Sequence, residues 1–272
     1  MPPSSGTDGA LDKYAGTFAF VDATNPEPDR LRTIADAQGI VPLIKLCSSG
    51  TEEAKEKAAA TLWHLALDEA SRDFIGAQGG INPLSLVLAG GATMEAIGNA
   101  NLALARLGQD NTANQTMIAN ALISMLEDLK SPPTAEVEVR AVHALYSLAL
   151  ANVTAPTSIM KNGAITPLVT VLTAGKSEES RTEAERLLQL LAESGESHHT
   201  AIAIALVNVL GTGSVQAQEN ATALLLTLSP TGDEHLAKRQ SIAQAQPFKA
   251  LIKELRTDSP RVKMLAAAVL AR

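Results

Sequence analysis

The stretch Lys57–Ala66, KAAATLWHLA, carries a pattern that the chain repeats five more times. Written as a nonapeptide it is Ala-Ala-x-Ala-Leu-x-x-Leu-Ala, with Leu62 as the anchor leucine. The pattern returns at Ala100–Gly108 (ANLALARLG, anchor Leu104), Ala141–Ala149 (AVHALYSLA, Leu145) and Ala184–Ala192 (AERLLQLLA, Leu188). It recurs again at Ala221–Ser229 (ATALLLTLS, Leu225) and, cut short, at Ala266–Arg272 (AAAVLAR, Leu270). The anchors lie 42, 41, 43, 37 and 45 residues apart. Alanine-rich amphipathic helices with a period of about 40 residues mark a helical solenoid. Each repeat of such a solenoid buries its apolar face against its neighbours.

Composition agrees with that reading. Hydrophobic residues make up 46% of the 272 residues but aromatics only 3%, so the core is built from Ala, Leu, Ile and Val. Such side chains suit closely stacked helices, whereas a sandwich or barrel draws on aromatic and β-branched residues in alternation. The net charge of −7 weighs against a nucleic-acid footprint, which needs a clustered basic surface. The single cysteine, Cys47 in VPLIKLC, excludes an intrachain disulfide and a cysteine-based zinc site and reads as a small core residue. The N-terminal MPPSSGTDGALDKYAGTF lacks the charged and apolar regions of a signal peptide. No apolar stretch reaches the ~18 residues of a membrane span. Pro2 leaves no glycine for myristoylation. The expectation is a soluble intracellular chain, cytoplasmic or nuclear, whose Asn-x-Ser/Thr sequons at Asn114, Asn152 and Asn220 carry no glycan.

Residues 1–28 lack periodicity and read as a tail or cap, with a short apolar patch at Phe18–Val21. Beyond them a short helix, Leu31–Gln38, ends at Gly39, and a second begins at Pro42 in GIVPLIKLC. Glycine at a helix exit and proline in the next first turn is the expected asymmetry. The punctuation returns in GGINPLSLVL, NGAITPLVTVL and, more weakly, AQPFKALIKEL. The third and fifth repeats (MIANALISML and TAIAIALVNVL) keep the apolar helix without the glycine and proline. The third helix of a repeat then starts at a readable cap: Thr51-Glu52-Glu53, Thr134-Ala135-Glu136, Ser177-Glu178-Glu179 and Ser259-Pro260. Each unit is thus a short helix, a turn, a second helix, a loop and a longer third helix.

Gly-x-x-Pro-Leu opening the second helix and the alanine–leucine core of the third, recurring in register, resemble the armadillo-repeat family over residues 29–272. HEAT repeats are the near rival, but their units have two helices. The resemblance implies an all-α fold, a right-handed superhelical solenoid of about six three-helix repeats. These divide at about 29–71, 72–113, 114–155, 156–196, 197–233 and 234–272, the last one truncated. In armadillo proteins the third helices line a concave groove that holds extended peptides.

No catalytic constellation appears: there is no Gly-x-Ser-x-Gly, Walker loop or His-Glu-x-x-His. Gly76, Gly79 and Gly80 fall where the repeat needs a helix turn, and His198-His199 has no third metal ligand nearby in sequence. No enzyme, cofactor or metal is expected. The third and seventh letters of the nonapeptide share one helix face, so the groove is expected at His64, Leu102, Arg106, His143, Ser147, Arg186, Leu190 and Thr227, with Ala60 and Ala223 as smaller members. Importin-α grooves carry Trp and Asn at these letters; here neither occurs, and Trp63 sits at the sixth letter, where it reads as packing between repeats. The basic or titratable members His64, Arg106, His143 and Arg186 favour an acidic extended segment, as in β-catenin-like grooves, because arginine grips carboxylates bidentately. The same four also fit an ordinary solvated helix face. The expected function is a non-catalytic protein-interaction scaffold. Two alternatives stand beside it: a structural subunit of a ciliary or cytoskeletal type of assembly, docking by its convex face or its C-terminal end, and a cargo adaptor for nuclear import or degradation as part of a longer protein. Self-association through the C-terminal end belongs with the first.

Overall fold

The computed structural model describes Ala35 and residues 38–91, 93–128, 131–231 and 236–272. The expected tail at 1–28, its patch Phe18–Val21 and nearly all of the helix at 31–38 lie outside them. Among the described residues there are fifteen α-helices and no strand. They are α1 (Ile40–Ser49), α2 (Glu52–Leu65), α3 (Glu69–Ala77), α4 (Ile81–Gly90) and α5 (Met94–Leu107). Next come α6 (Thr112–Glu127), α7 (Ala135–Ala151), α8 (Ala155–Lys161), α9 (Ile165–Ala174) and α10 (Glu178–Glu193). The last are α11 (Glu196–Thr212), α12 (Val215–Leu228), α13 (Leu236–Gln244), α14 (Phe248–Glu254) and α15 (Pro260–Leu270).

The triplets α3–α4–α5, α8–α9–α10 and α13–α14–α15 are the short, second and third helices read from the sequence. Where glycine and proline are missing, the outcome differs. The short and second helices run together as the 16-residue α6 and the 17-residue α11. The turn elsewhere depends on one residue in the left-handed region: Gln38 (φ 58°), Gly79 (φ 75°), Gly163 (φ 81°) and Gln246 (φ 53°). Two of the four are glutamine, so the turn is set by position in the repeat as much as by glycine's tolerance of positive φ. Without that residue, and without proline removing an amide, the helical bonds continue.

The chain divides into two compact units, one of the described residues up to Leu122 with Leu150–Asn152, the other of Ile123–Ala149 with Val153–Arg272. In the first, α1 packs on α2 and α4, and α2 packs on α5. Leu43, Leu62, Leu84 and Leu107 are fully buried there; each such leucine contributes about 2 kcal/mol. In the second, α9 packs on α10, α11 and α12, and the third helices follow one another as α10 on α12 and α12 on α15. Leu145, Leu188 and Leu225 are fully buried.

The expected caps form. The side chains of Thr51, Thr134, Ser177 and Ser259 accept the amides of Ala54, Val137, Ser180 and Val262 at 3.2, 3.3, 3.0 and 3.3 Å. Thr93 and Ser214 do the same for α5 and α12. A second device joins successive repeats. Glu56 accepts from the Thr93 hydroxyl at 2.8 Å, Glu138 from the Lys176 amide at 2.8 Å and Glu219 from the Ser259 hydroxyl at 2.9 Å. A carboxylate on one third helix thereby fixes the start of the next. Hydrogen bonds from Lys57 and then Thr93 hold the Glu56 carboxyl below the usual range.

Candidate functional site

The nonapeptide divides its letters in nearly the same way in four repeats, the exception being the second letter, half-buried as Asn101 and Glu185 but buried as Val142 and Thr222. In α7 Ala141, Val142, Ala144, Leu145, Leu148 and Ala149 are buried, while His143, Tyr146 and Ser147 are not. The same division leaves Leu102, Ala105 and Arg106 outward on α5, Arg186, Gln189 and Leu190 on α10, and Ala223, Leu226 and Thr227 on α12. The outward face is therefore the third, sixth and seventh letters, an i, i+3, i+4 set on one side of a helix. The sixth letter, which brings in Tyr146 and Gln189, is the member that the sequence reading left out.

The first repeat departs from this. His64 is 4% exposed and Ala60 5%, so both are buried rather than outward. The His64 ring also stacks on Trp63, with centroids 4.3 Å apart and planes at 32°. The indole itself keeps partial exposure.

In the second unit the face acquires structure. On α10, Glu183 stands 3.1 Å from Arg186 Nη1 through Oε1, and 3.5 Å from His143 Nδ1 of α7 through Oε2. The Arg186 guanidinium also lies over the Tyr146 ring, 5.9 Å from its centroid, within cation–π range. Glu183 keeps 15% of its side chain exposed, whereas Arg186 keeps 60%. The arginine is thus held by a carboxylate and an aromatic face while much of its guanidinium meets solvent. Being so exposed, the ion pair contributes little stability; it orients Arg186. Thr227 turns its hydroxyl back to the Ala223 carbonyl at 3.2 Å. In the first unit Leu102 is 44% exposed, and Arg106 is half-buried with Nη1 donating to Gln109 Oε1 at 2.7 Å.

The remaining candidates resolve into packing. Cys47 is 1% exposed, and burial pushes its thiol up to about 12. Gly76 lies within α3, and Gly79 and Gly80 form the turn before α4. His198 Nδ1 meets the Ser194 hydroxyl at 2.8 Å. His199 is buried, with Nε2 at 3.0 Å from the Leu228 carbonyl. That contact requires the proton on Nε2, and burial holds the imidazole below its ordinary pKa. Asn114 is 2% exposed and donates to the Arg72 and Leu107 carbonyls at 3.2 and 2.9 Å. Asn152 donates to Asp110 at 3.2 Å and Asn220 to the Leu172 carbonyl at 2.8 Å. The three sequon asparagines thus serve joints between helices. Among the described residues no three His, Cys, Asp or Glu side chains converge as a metal site, and no helix is long and apolar enough to cross a membrane.

No known family matches the chain, and no curated protein does. Solved structures show similarity. An engineered protein from the Northeast Structural Genomics Consortium is 26% identical over 98% of this chain, which spans 65% of that protein, with a TM-score of 0.49. A designed armadillo repeat protein in complex with the peptide (KR)4 is 22% identical over 85% of this chain and 98% of its own, with a TM-score of 0.42. A computationally designed armadillo repeat protein for modular peptide recognition has the same identity and coverage and a TM-score of 0.44. The nonapeptide period, the short–second–third helix triplets and the stacking of third helices within each unit make this chain an all-α helical repeat protein.

Proposed function

We propose that the chain is a non-catalytic binding scaffold that takes an extended peptide along the outward face of its third helices, with Arg186 gripping a carboxylate of that peptide. The observation that carries this reading is the cluster of His143, Tyr146, Glu183 and Arg186. It orients an arginine that is still 60% exposed at its side chain, on a face repeated from α7 to α10 to α12. A guanidinium fixed in advance loses less side-chain freedom on binding and offers its donors in the planar fork that suits a carboxylate. Exposed Leu102, with Arg106 beside it on α5, repeats the combination of apolar and cationic positions in the first unit. Glu183 sets a limit: it balances Arg186 locally, so selectivity for acidic peptides is modest.

The test is an array of extended peptides, matched in hydrophobicity but differing in charge, read with wild-type chain and with Arg106→Glu and Arg186→Glu variants. Both changes lie on the outward face, and circular dichroism checks that helicity is kept. The reading expects acidic peptides to bind wild type and to lose at least about tenfold in Arg186→Glu, the size expected for breaking a charge-assisted pair. Binding that is unchanged in both variants refutes it.

A further inference from the structure

A separate surface in the second unit is apolar, basic and indented. On α14 and its C-cap the exposed residues Phe248 (55%), Ile252 (49%) and the cap residue Leu255 (38%), whose backbone is still helical, stand at i, i+4 and i+7, a single stripe along one side. Lys249, Lys253 and Arg256 are exposed and each follows one stripe residue by a single position, so the cations run alongside the stripe on one side. The opposite side of α14, with Leu251 and Glu254, is buried, and the helix packs on α11 and α15. Residues 236–272 hold eight Lys and Arg against Glu254 and Asp258, in a chain whose net charge is −7.

Beside the stripe is a cavity of about 230 Å³ lined by Leu236, Ile242, Phe248, Leu251 and Val269, with Arg239 and Arg272 in its walls. Both guanidiniums donate to backbone carbonyls at and just after the end of α12: Arg239 to Pro230 at 3.2 Å and Arg272 to Ser229 at 2.6 Å. These bonds fix two cations beside an apolar hollow. A cavity of about 150 Å³ already accepts a benzene ring, so this one has room for a large apolar side chain.

We infer that the α13–α15 face is a docking site for an acidic amphipathic helix of a partner protein, with one large apolar side chain of that helix seated in the cavity. The stripe has the spacing that another helix reads with its own i, i+4, i+7 residues. The one-sided row of Lys249, Lys253 and Arg256 selects acids along the matching edge and sets the orientation of the incoming helix. The cavity argues for a protruding side chain rather than a flat surface. The site shares no residue with the third-helix cluster and does not depend on it.

The probe is a labelled helical peptide of roughly 20 residues, long enough to hold helix when docked, with leucines at i, i+4 and i+7 and glutamates beside them. Its counterpart carries lysine at every glutamate. Fluorescence polarisation with the whole chain is expected to show binding of the glutamate peptide alone, weakening at least about tenfold between low and high salt. Ile252→Asp and the triple Lys249→Glu, Lys253→Glu, Arg256→Glu are each expected to abolish it, and Arg186→Glu to leave it unchanged. All of these residues are exposed, and circular dichroism confirms the fold of each variant. Equal binding of the two peptides, binding of neither, or binding that survives Ile252→Asp overturns the inference. So does dimerisation of the chain that Ile252→Asp abolishes, which makes the occupant a second copy. Capture by phosphatidylserine vesicles with no peptide binding overturns it as well, by making the surface a lipid one.

Discussion

Replacing Gly76 with alanine tests how the turn region of one repeat locks onto the next. Gly76 lies in α3, and a Cβ built there would overlap Asn114 Oδ1 and stand 2.8 Å from its Cγ and 3.0 Å from its Nδ2. Asn114 cannot yield freely, because it is 2% exposed and its amide bridges the Arg72 and Leu107 carbonyls. Displacing it forfeits two hydrogen bonds at about 0.5–1.5 kcal/mol each and leaves buried polar groups unpaired, costing roughly 1–3 kcal/mol more. Helix propensity works the other way, favouring alanine by about 1 kcal/mol. The expected net loss is about 1–5 kcal/mol. Gly98, inside α5 with nothing within 4 Å of its built Cβ, is the control, and Gly98→Ala is expected to stabilise by about 0.5–1 kcal/mol. Urea unfolding gives the global value, while hydrogen exchange of α3 and α6 amides gives the local one, which matters in a repeat protein whose segments open separately. The decisive step is a cycle with Asn114→Ala. In that background only the propensity gain remains and Gly76→Ala should no longer destabilise, giving a coupling of about 2–6 kcal/mol. Equal losses in both backgrounds would refute the reasoning.

Three further outcomes follow from single contacts. Thr93 both caps α5 and donates to Glu56, whereas Thr51 only caps α2; Thr93→Ala should therefore cost about 1 kcal/mol more than Thr51→Ala, the worth of the added charged bond, and equal losses in urea unfolding would remove the strut. Burial raises the Glu254 carboxyl above its ordinary pKa of 4.5, so the fold favours its protonated form and stability falls as pH rises from 4.5 through the folded value. Glu254→Gln should accordingly raise Tm at pH 7 and lose that advantage towards pH 4, and an advantage independent of pH contradicts this. His199 is the opposite case. Its folded pKa lies below 6.5, so stability is intact above 6.5 and lost as pH falls from there towards the folded value. His199→Gln keeps a donor for the Leu228 carbonyl and should flatten the decline of Tm between pH 7 and 5; an unchanged slope argues against it.

Much of the repeat is legible because the nonapeptide repeats a burial pattern. The anchors Leu62, Leu104, Leu145, Leu188 and Leu225 are all at most 1% exposed, as the alanine–leucine register requires. Leu270 keeps the spacing but is half-exposed beside the α13–α15 cavity. The caps were readable because a hydroxyl before acids or proline has one efficient use there. The fusion of α6 and of α11 was not read, although its signal was present in the missing glycine and proline. Without a stop the helical hydrogen bonds continue. Gln38 and Gln246 show why glycine alone misleads, since each takes positive φ in a turn closed by its own amide on the carbonyl three residues back. At the binding face, letter counting found Leu102, Arg106, His143, Ser147, Arg186, Leu190 and Thr227 outward or half-outward. It misplaced His64 and Ala60, because in the first repeat both letters of that face are buried. Glu183 escaped notice because it lies one letter before the nonapeptide, and only the packing of α7 beside α10 brings it to His143 and Arg186.

The most direct test of the third-helix site is to remove Glu183's charge and keep its shape. If Arg186 binds a peptide carboxylate, Glu183 competes with that carboxylate for the guanidinium. Glu183→Gln should then tighten binding of an acidic extended peptide several-fold, by roughly 1 kcal/mol at an exposed pair, while Arg186→Glu abolishes it. Isothermal titration of both variants against the same acidic peptide gives the answer. Tighter binding in the first and loss in the second is the predicted result; affinity unchanged in both would contradict the account.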